Sequence, residues 1–283
     1  MNLAPLSRLI LEPLVRAALV EDLGLAGDIT TNAIVPPEVE TQALFVARKP
    51  GVVAGLDLAK LSLELVDPSL TFSVAKPDGT HVAAGETIAT VSGKAAAILI
   101  GERVALNFLG HLSGIATATA KFVKAVEGHN AKIVCTRKTT PGLRAIEKYA
   151  VRAGGGQNHR FGLYDEVLIK DNHIAIAGGV TVALRRAKQH VGHMVKIEIE
   201  VDSLEQLREA LSEKPDVILL DNMTPAQLAE AVKIVDGRAI TEASGGVSLE
   251  TAAAVAASGV DLIAIGWLTH SAPTLDIGLD FPD

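Results

Sequence analysis

Two hydrophobic patterns follow one another along the chain. Residues 42 to 100 alternate short apolar runs with turns. QALFVARKPGVVAG, LTFSVAKPDGTHVAAG and ETIATVSGKAAAIL break at Pro50-Gly51, Asp78-Gly79, Ala84-Gly85 and Ser92-Gly93. One helical run, LAKLSLELV, interrupts them, so this stretch predicts a small α+β unit. Ahead of it, LSRLILEPLVRAALVEDLG places apolar residues at helical spacing, broken by Arg8, Glu12, Pro13 and Arg16, and predicts an amphipathic helix. EDLGLAGDITTNAIVPP then reads as a loop rich in Gly, Asp, Thr and Pro.

From about residue 113 the pattern changes to alternation of strand and helix. Near-continuous apolar runs IVCTRK, VLIK, VKIEIEV, VILLDN, AITEAS and LIAIGW predict strands buried on both faces. Between them lie the helical patterns GLRAIEKYAVRA, TVALRRAKQH, SLEQLREALSE, TPAQLAEAVKIV and SLETAAAVAAS. Three carry start signals: Ser203 with Gln206 three residues on, Thr224 before Pro225, and Ser248 before LETAAA. Strands alternating with helices mean a parallel sheet covered by helices. Six strands fall short of a closed eight-stranded barrel. The expectation is an incomplete (β/α) barrel, with a doubly wound sheet as the alternative.

Composition narrows the class. Nearly half of the 283 residues are hydrophobic, ample for two cores, while aromatic residues make up only 3% and cannot build a base-stacking platform. A formal charge of -7 argues against a nucleic-acid partner, which requires broad positive surface. The single Cys135 cannot form an internal disulfide and suits a reducing, cytoplasmic setting. No apolar run reads as long enough to span a bilayer, so no membrane partner is expected.

Charge is distributed unevenly. Between Thr136 and His173 the acidic chain concentrates Arg137, Lys138, Arg144, Lys148, Arg152, Arg160 and Lys170 against Glu147, Asp165, Glu166 and Asp171. A solvated helix face accounts for Lys148 and Arg152. It does not account for Arg137, Lys138 and Lys170, which follow apolar runs directly and stand where buried strands emerge. Read in order, the strand ends are Thr136-Arg137-Lys138, Lys170, Glu200, Asp221, Ser244-Gly245-Gly246 and Gly266-Trp267. In a barrel these ends converge on one mouth. Cations there suit anions, glycine turns free backbone N–H groups for phosphate, and two carboxylates beside phosphates imply Mg²⁺ or ribose hydroxyls. The expected ligands are a polyanionic small molecule and a phosphorylated sugar. No GxxxxGK loop, strand-anchored GxGxxG or catalytic triad is present, and the histidines show no metal-ligand spacing.

At these residues the chain resembles the quinolinate phosphoribosyltransferase family. The similarity runs from EDLGLAGDITT through GERVALNFLGHLSGIAT, TRKTTPGLRAIEKYAVRAGGGQNHRFGL, LIKDNH, EIEVDSLEQL and ILLDN to EASGGV and IGWLTHSAP. Gly110-His111 and Gly246 depart from the family pattern. The resemblance implies an N-terminal α+β sandwich domain (1–112), an incomplete barrel of the type II phosphoribosyltransferase kind (113–268), and a tail (269–283) packing back on the first domain. It implies transfer of phosphoribosyl from phosphoribosyl pyrophosphate to quinolinate, with decarboxylation to nicotinate mononucleotide, pyrophosphate and CO₂ in NAD biosynthesis. Arg103, Thr136, Arg137, His159, Arg160 and Lys170 would hold quinolinate. Lys138, Glu200 and Asp221 would serve phosphoribosyl pyrophosphate, with Glu200 and Asp221 meeting Mg²⁺ directly or through water. Ser244, Gly245, Gly246, Gly266, Trp267 and Leu268 would take the 5′-phosphate. A homodimer with shared active sites is implied, or a hexamer built as a trimer of dimers, with the matching Arg103 coming from the neighbouring subunit. A non-catalytic phosphosugar sensor and a relative acting on another carboxylated base are the competing readings.

Overall fold

The computed structural model describes residues 3–282. Contacts divide the chain into two compact units. The first comprises Met1–Ala120, Thr140–Gly155 and Leu268–Asp283, and the second Lys121–Thr139 and Gly156–Trp267.

The first unit is built on a four-stranded antiparallel sheet, in the order Ile277–Asp280, Glu40–Ala47, Thr87–Lys94 and Thr71–Val74. The C-terminal strand thus pairs with the first strand of the chain, Leu44 lying opposite Asp280. Phe45, Leu63, Ile88, Ile98 and Leu109 form its buried core, and Phe45 meets Phe72 edge-on at 5.7 Å. The amphipathic segment forms the helix Arg8–Leu23, which buries Leu11, Val15 and Leu19 at i, i+4 spacing. Part of the stretch read as a loop is helical. Asp28 caps Ile29–Ile34 by accepting the Thr31 N–H at 2.9 Å, a local start signal hidden among turn-forming residues.

The helix Ala95–Ala125 runs through the expected domain boundary at 112/113 without a break. Its glycines are contact positions and do not act as breakers. A Cβ on Gly114 would lie 2.2 Å from the Pro273 carbonyl oxygen, so only glycine lets that backbone pass. By length and composition this helix could cross a bilayer, contrary to the sequence expectation. Yet 61% of its apolar window is buried inside the chain, as in a core helix. The helix Arg144–Ala153 corrects a second expectation: Lys148 and Glu147 are fully buried and do not lie on a solvated face. Glu147 accepts the Thr140 N–H at 3.1 Å and pairs with His111, one of the off-pattern residues, at 3.0 Å.

The second unit is a six-stranded parallel sheet. Its order is Lys132–Val134, Leu262–Ala264, Ile240–Ser244, Val217–Asp221, Ile197–Val201 and Val167–Ile169. The first strand pairs with the last, so the sheet curls as a barrel does and stays open between its first and second strands. All six strands predicted from the apolar runs are present. Helices between them start where cap chemistry dictates. Thr224 and Gln227 exchange a capping box, with Pro225 in the first turn, and the Ser203 hydroxyl accepts the Gln206 N–H at 3.4 Å. One short helix, Asp171–Ala177, was not read from the sequence.

Candidate active site

Parallel register places the strand ends in rows. Asp221 pairs with Ser244, and Glu200 lies level with Leu219 on the intervening strand. Lys170 is the residue after Val167–Ile169, whose neighbour carries Glu200, and its Nζ lies 3.0 Å from Glu200 Oε2. The cation assigned to one substrate and the carboxylate assigned to the other therefore meet as an ion pair. Its lysine end is half-exposed while the glutamate side chain is only 14% exposed. Asp221 is oriented by its neighbour: Asn222 Nδ2 donates to Asp221 Oδ2 at 2.6 Å.

The glycine turn follows the next strand. Gly245 (φ 99°) and Gly246 (φ 60°) lie in the left-handed region, which exposes their backbone N–H groups ahead of the helix Leu249–Ala257. A Cβ on Gly245 would lie 2.2 Å from Asn222 Oδ1, so the turn is packed directly against the residue that holds Asp221. Trp267 is 41% exposed and tilts against Phe122 at 6.3 Å. Leu268 is fully buried, so its side chain cannot reach a ligand and only its backbone could serve one.

Thr136 accepts the Lys138 N–H through Oγ1 at 3.0 Å, bending the chain so that Lys138 is exposed directly after the half-buried Arg137. Arg160 is 8% exposed. Burial, then the nearby Arg137 charge, lower its pKa, which shows two guanidinium groups held close enough to repel. Its Nη1 donates to the Glu166 carbonyl at 3.2 Å, and its buried Nε has no hydrogen-bond partner among the described residues. Repelling cations with an unspent donor suit an anionic ligand. Arg103 belongs to the other compact unit, where its side chain is 63% exposed and 3.9 Å from Glu102.

Below the strand ends the sheet holds a layer that sequence reasoning missed. Glu198 and Glu242 are 3% and 1% exposed, and both face His159. His159 Nε2 lies 2.9 Å from Glu198 Oε2 and 3.5 Å from Glu242 Oε1. Its Nδ1 accepts the Arg160 N–H at 2.7 Å and lies 3.3 Å from Glu166 Oε1. Burial works to lower the His159 pKa, but the Glu198 hydrogen bond and the charges of Glu242, Glu198 and Glu166 outweigh it and leave it raised. Burial pushes the Glu242 carboxyl up, the Glu198 charge pushes it further, and His159 pulls it back. The signal was available in IEIEV and ITEAS: an acid two residues before a strand-end polar residue shares that residue's inward face.

Two groups of residues could be considered for a metal. One ligand atom each from His159, Glu198 and Glu242 lie within 4.8 Å of one another, a grouping invisible to spacing along the chain because the three come from separate segments. With Nδ1 accepting an N–H, however, Nε2 carries the ring hydrogen and offers no lone pair. Glu200 and Asp221 are half-buried, oxygen-only donors at adjacent strand ends, which fits Mg²⁺ that keeps several waters and shares substrate phosphates.

The chain matches the model of the quinolinate phosphoribosyl transferase N-terminal domain over residues 28–113 and that of the C-terminal domain over residues 115–280. It is 50% identical to the nicotinate-nucleotide pyrophosphorylase [carboxylating] of Mycobacterium leprae, over 94% of this chain and 95% of that protein. It is 46% identical to the probable enzyme of the same name from Bacillus subtilis, over 97% and 94% of the two chains. The structure of the nicotinate-nucleotide pyrophosphorylase from Francisella tularensis superposes with a TM-score of 0.95 at 36% identity, covering 100% of this chain and 99% of that one. The chain therefore belongs to the quinolinate phosphoribosyl transferase family.

Proposed function

We propose that this chain transfers phosphoribosyl from phosphoribosyl pyrophosphate to quinolinate and releases pyrophosphate and CO₂, leaving nicotinate mononucleotide for NAD biosynthesis. The observation that carries the reading is the layout of the parallel strand ends. The charges of Arg137 and Arg160 act on one another after the first strand, and Lys170, after the strand at the other edge, is tied to Glu200 at 3.0 Å beside Asp221 and the Gly245-Gly246 turn. Arginine forks and a lysine point charge match a diacid. Freed N–H groups match a 5′-phosphate.

Chemistry follows from that layout. Departure of pyrophosphate leaves an oxocarbenium-like ribose, which the pyridine nitrogen attacks. Glu200 and Asp221 stabilise the developing positive charge and hold the ribose hydroxyls, while Lys138 meets the pyrophosphate. Mg²⁺, when bound, neutralises phosphate charge and orients the leaving group. Ribosylation turns the ring into a pyridinium, so the carboxylate next to the nitrogen can leave as CO₂ while its electron pair stays on the ring carbon beside the cationic nitrogen and takes a proton from solvent. The side chains supply orientation and electrostatics, with no covalent nucleophile.

The working unit in this reading is a homodimer, or a trimer of such dimers, in which the partner subunit's Arg103 completes each site. Support comes from the exposed Arg103 side chain and from Leu9, Val20, Leu25, Ile29 and Ile34, apolar side chains left exposed in the first unit. The test of the function is direct. Purified protein with quinolinate, phosphoribosyl pyrophosphate and Mg²⁺ should form nicotinate mononucleotide, pyrophosphate and CO₂ in equal amounts. Binding of both ligands without turnover would make the chain a sensor and end the proposal.

A further inference from the structure

The histidine assigned to quinolinate has nothing left to give it. An imidazole offers two nitrogens. In His159, Nε2 is 2.9 Å from Glu198 Oε2 with Glu242 Oε1 behind at 3.5 Å, and Nδ1 takes the Arg160 N–H at 2.7 Å. A second ring proton would turn Nδ1 towards Glu166 Oε1 at 3.3 Å and leave the Arg160 N–H to that same oxygen at 3.0 Å, so it would free neither ring nitrogen. The His159 side chain is 9% exposed. The next residue is in the opposite condition: among the described residues Arg160 has a buried Nε without a hydrogen-bond partner, while its Nη1 donates to the Glu166 carbonyl. One residue is fully engaged within the protein, while its neighbour keeps an unspent donor.

We propose that His159 is a positioning residue, anchored through Nε2 on Glu198, which sets the Arg160 guanidinium for the diacid and does not touch the diacid itself. This rests on the reading of the site as one for quinolinate. The argument is geometric. Arg160 leaves the chain immediately after the ring, and its N–H is shared between His159 Nδ1 and Glu166 Oε1, at 2.7 and 3.0 Å. That fork fixes the direction in which the Arg160 side chain departs. Glu198 is held in the strand Ile197–Val201, so the ring is tied to a rigid sheet and the arginine inherits its position. Glu198 and Glu242 thereby become positioning residues one layer removed from the ligand.

A double-mutant cycle on quinolinate affinity, read by calorimetry on the full-length protein without sugar phosphate, separates positioning from contact. Arg160→Ala and His159→Asn should each weaken quinolinate by about 10- to 150-fold, the range for a lost charge-assisted hydrogen bond. The double variant should bind no more weakly than Arg160→Ala alone, because a positioning residue has nothing to act on once the arginine is gone. A double variant weaker by the product of the two factors would mean direct contact and overturn the proposal, as would a His159→Asn protein that binds like wild type. Glu198 supplies a second arm. Glu198→Gln still accepts the Nε2 hydrogen and should stay within about threefold of wild type, whereas Glu198→Val should weaken quinolinate as His159→Asn does. Wild-type affinity in folded Glu198→Val would also overturn it. A wild-type protein with no quinolinate affinity would instead remove the functional reading beneath it.

Discussion

Glu242 offers a test of the buried layer that needs no substrate. The perturbation is Glu242→Gln, which keeps the shape and removes the ionisable proton. Glu242 is 1% exposed, and its Oε1 lacks a hydrogen-bond partner among the described residues. Burial first and the Glu198 charge second push its carboxyl from 4.5 up to about 8, against the pull of His159. The folded carboxyl therefore keeps a proton that the unfolded chain gives up near its ordinary value. Stability from this group is fully present below about pH 4.5 and is lost as pH rises towards 8, at up to ~1.4 kcal/mol per pH unit. Glutamine has no such slope. His159, whose pKa is also raised, drifts in the same sense, and because the Glu242 charge is one cause of that shift, the difference between the two proteins reports Glu242 together with its hold on His159. Between pH 5.5 and 8, Glu242→Gln should gain on wild type by as much as about 3 kcal/mol in urea unfolding at fixed protein concentration. Parallel stability profiles over that range would refute the account of a protonated acid in the barrel interior.

Other expectations follow from the strand ends. Lys170→Ala should cost about 10- to 150-fold in kcat/KM for quinolinate with the fold intact by circular dichroism, and near-native kinetics would remove Lys170 from the site. Gly245→Ala adds a Cβ that meets Asn222 Oδ1 at 2.2 Å in a backbone held at φ 99°. It should raise KM for phosphoribosyl pyrophosphate and leave quinolinate titration unchanged, so a variant impaired for quinolinate alone would place the turn elsewhere. Arg103→Ala and Lys138→Ala, each inactive alone, should recover roughly a quarter of wild-type activity when unfolded and refolded together, because half the dimers then hold one intact site. A mixture that stays inactive despite heterodimers seen by mass spectrometry would show that each site is built from one chain.

What the sequence made legible was local chemistry. Six strands could be read because each is an unbroken apolar run, and helix starts at Ser203, Thr224 and Ser248 because a cap is written within four residues. The ion pair of Lys170 with Glu200 was half-legible: both were recognised as strand ends, but only the register of adjacent strands makes them partners. The misses share a cause. Lys148 looked solvated because charge on a helical pattern ordinarily faces water, yet that helix is buried along most of its length, Glu147 and Lys148 included. Glu198 and Glu242 are hidden because each lies inside its strand, two residues before the polar residue near the strand end. Acids inside apolar strands are costly unless something balances them, so IEIEV and ITEAS already required a buried partner. That partner is His159, which the sequence presents as one more polar residue in a cationic loop. The resemblance assigns it to the ligand, and the distances add that its Nε2 lies against the two acids behind it.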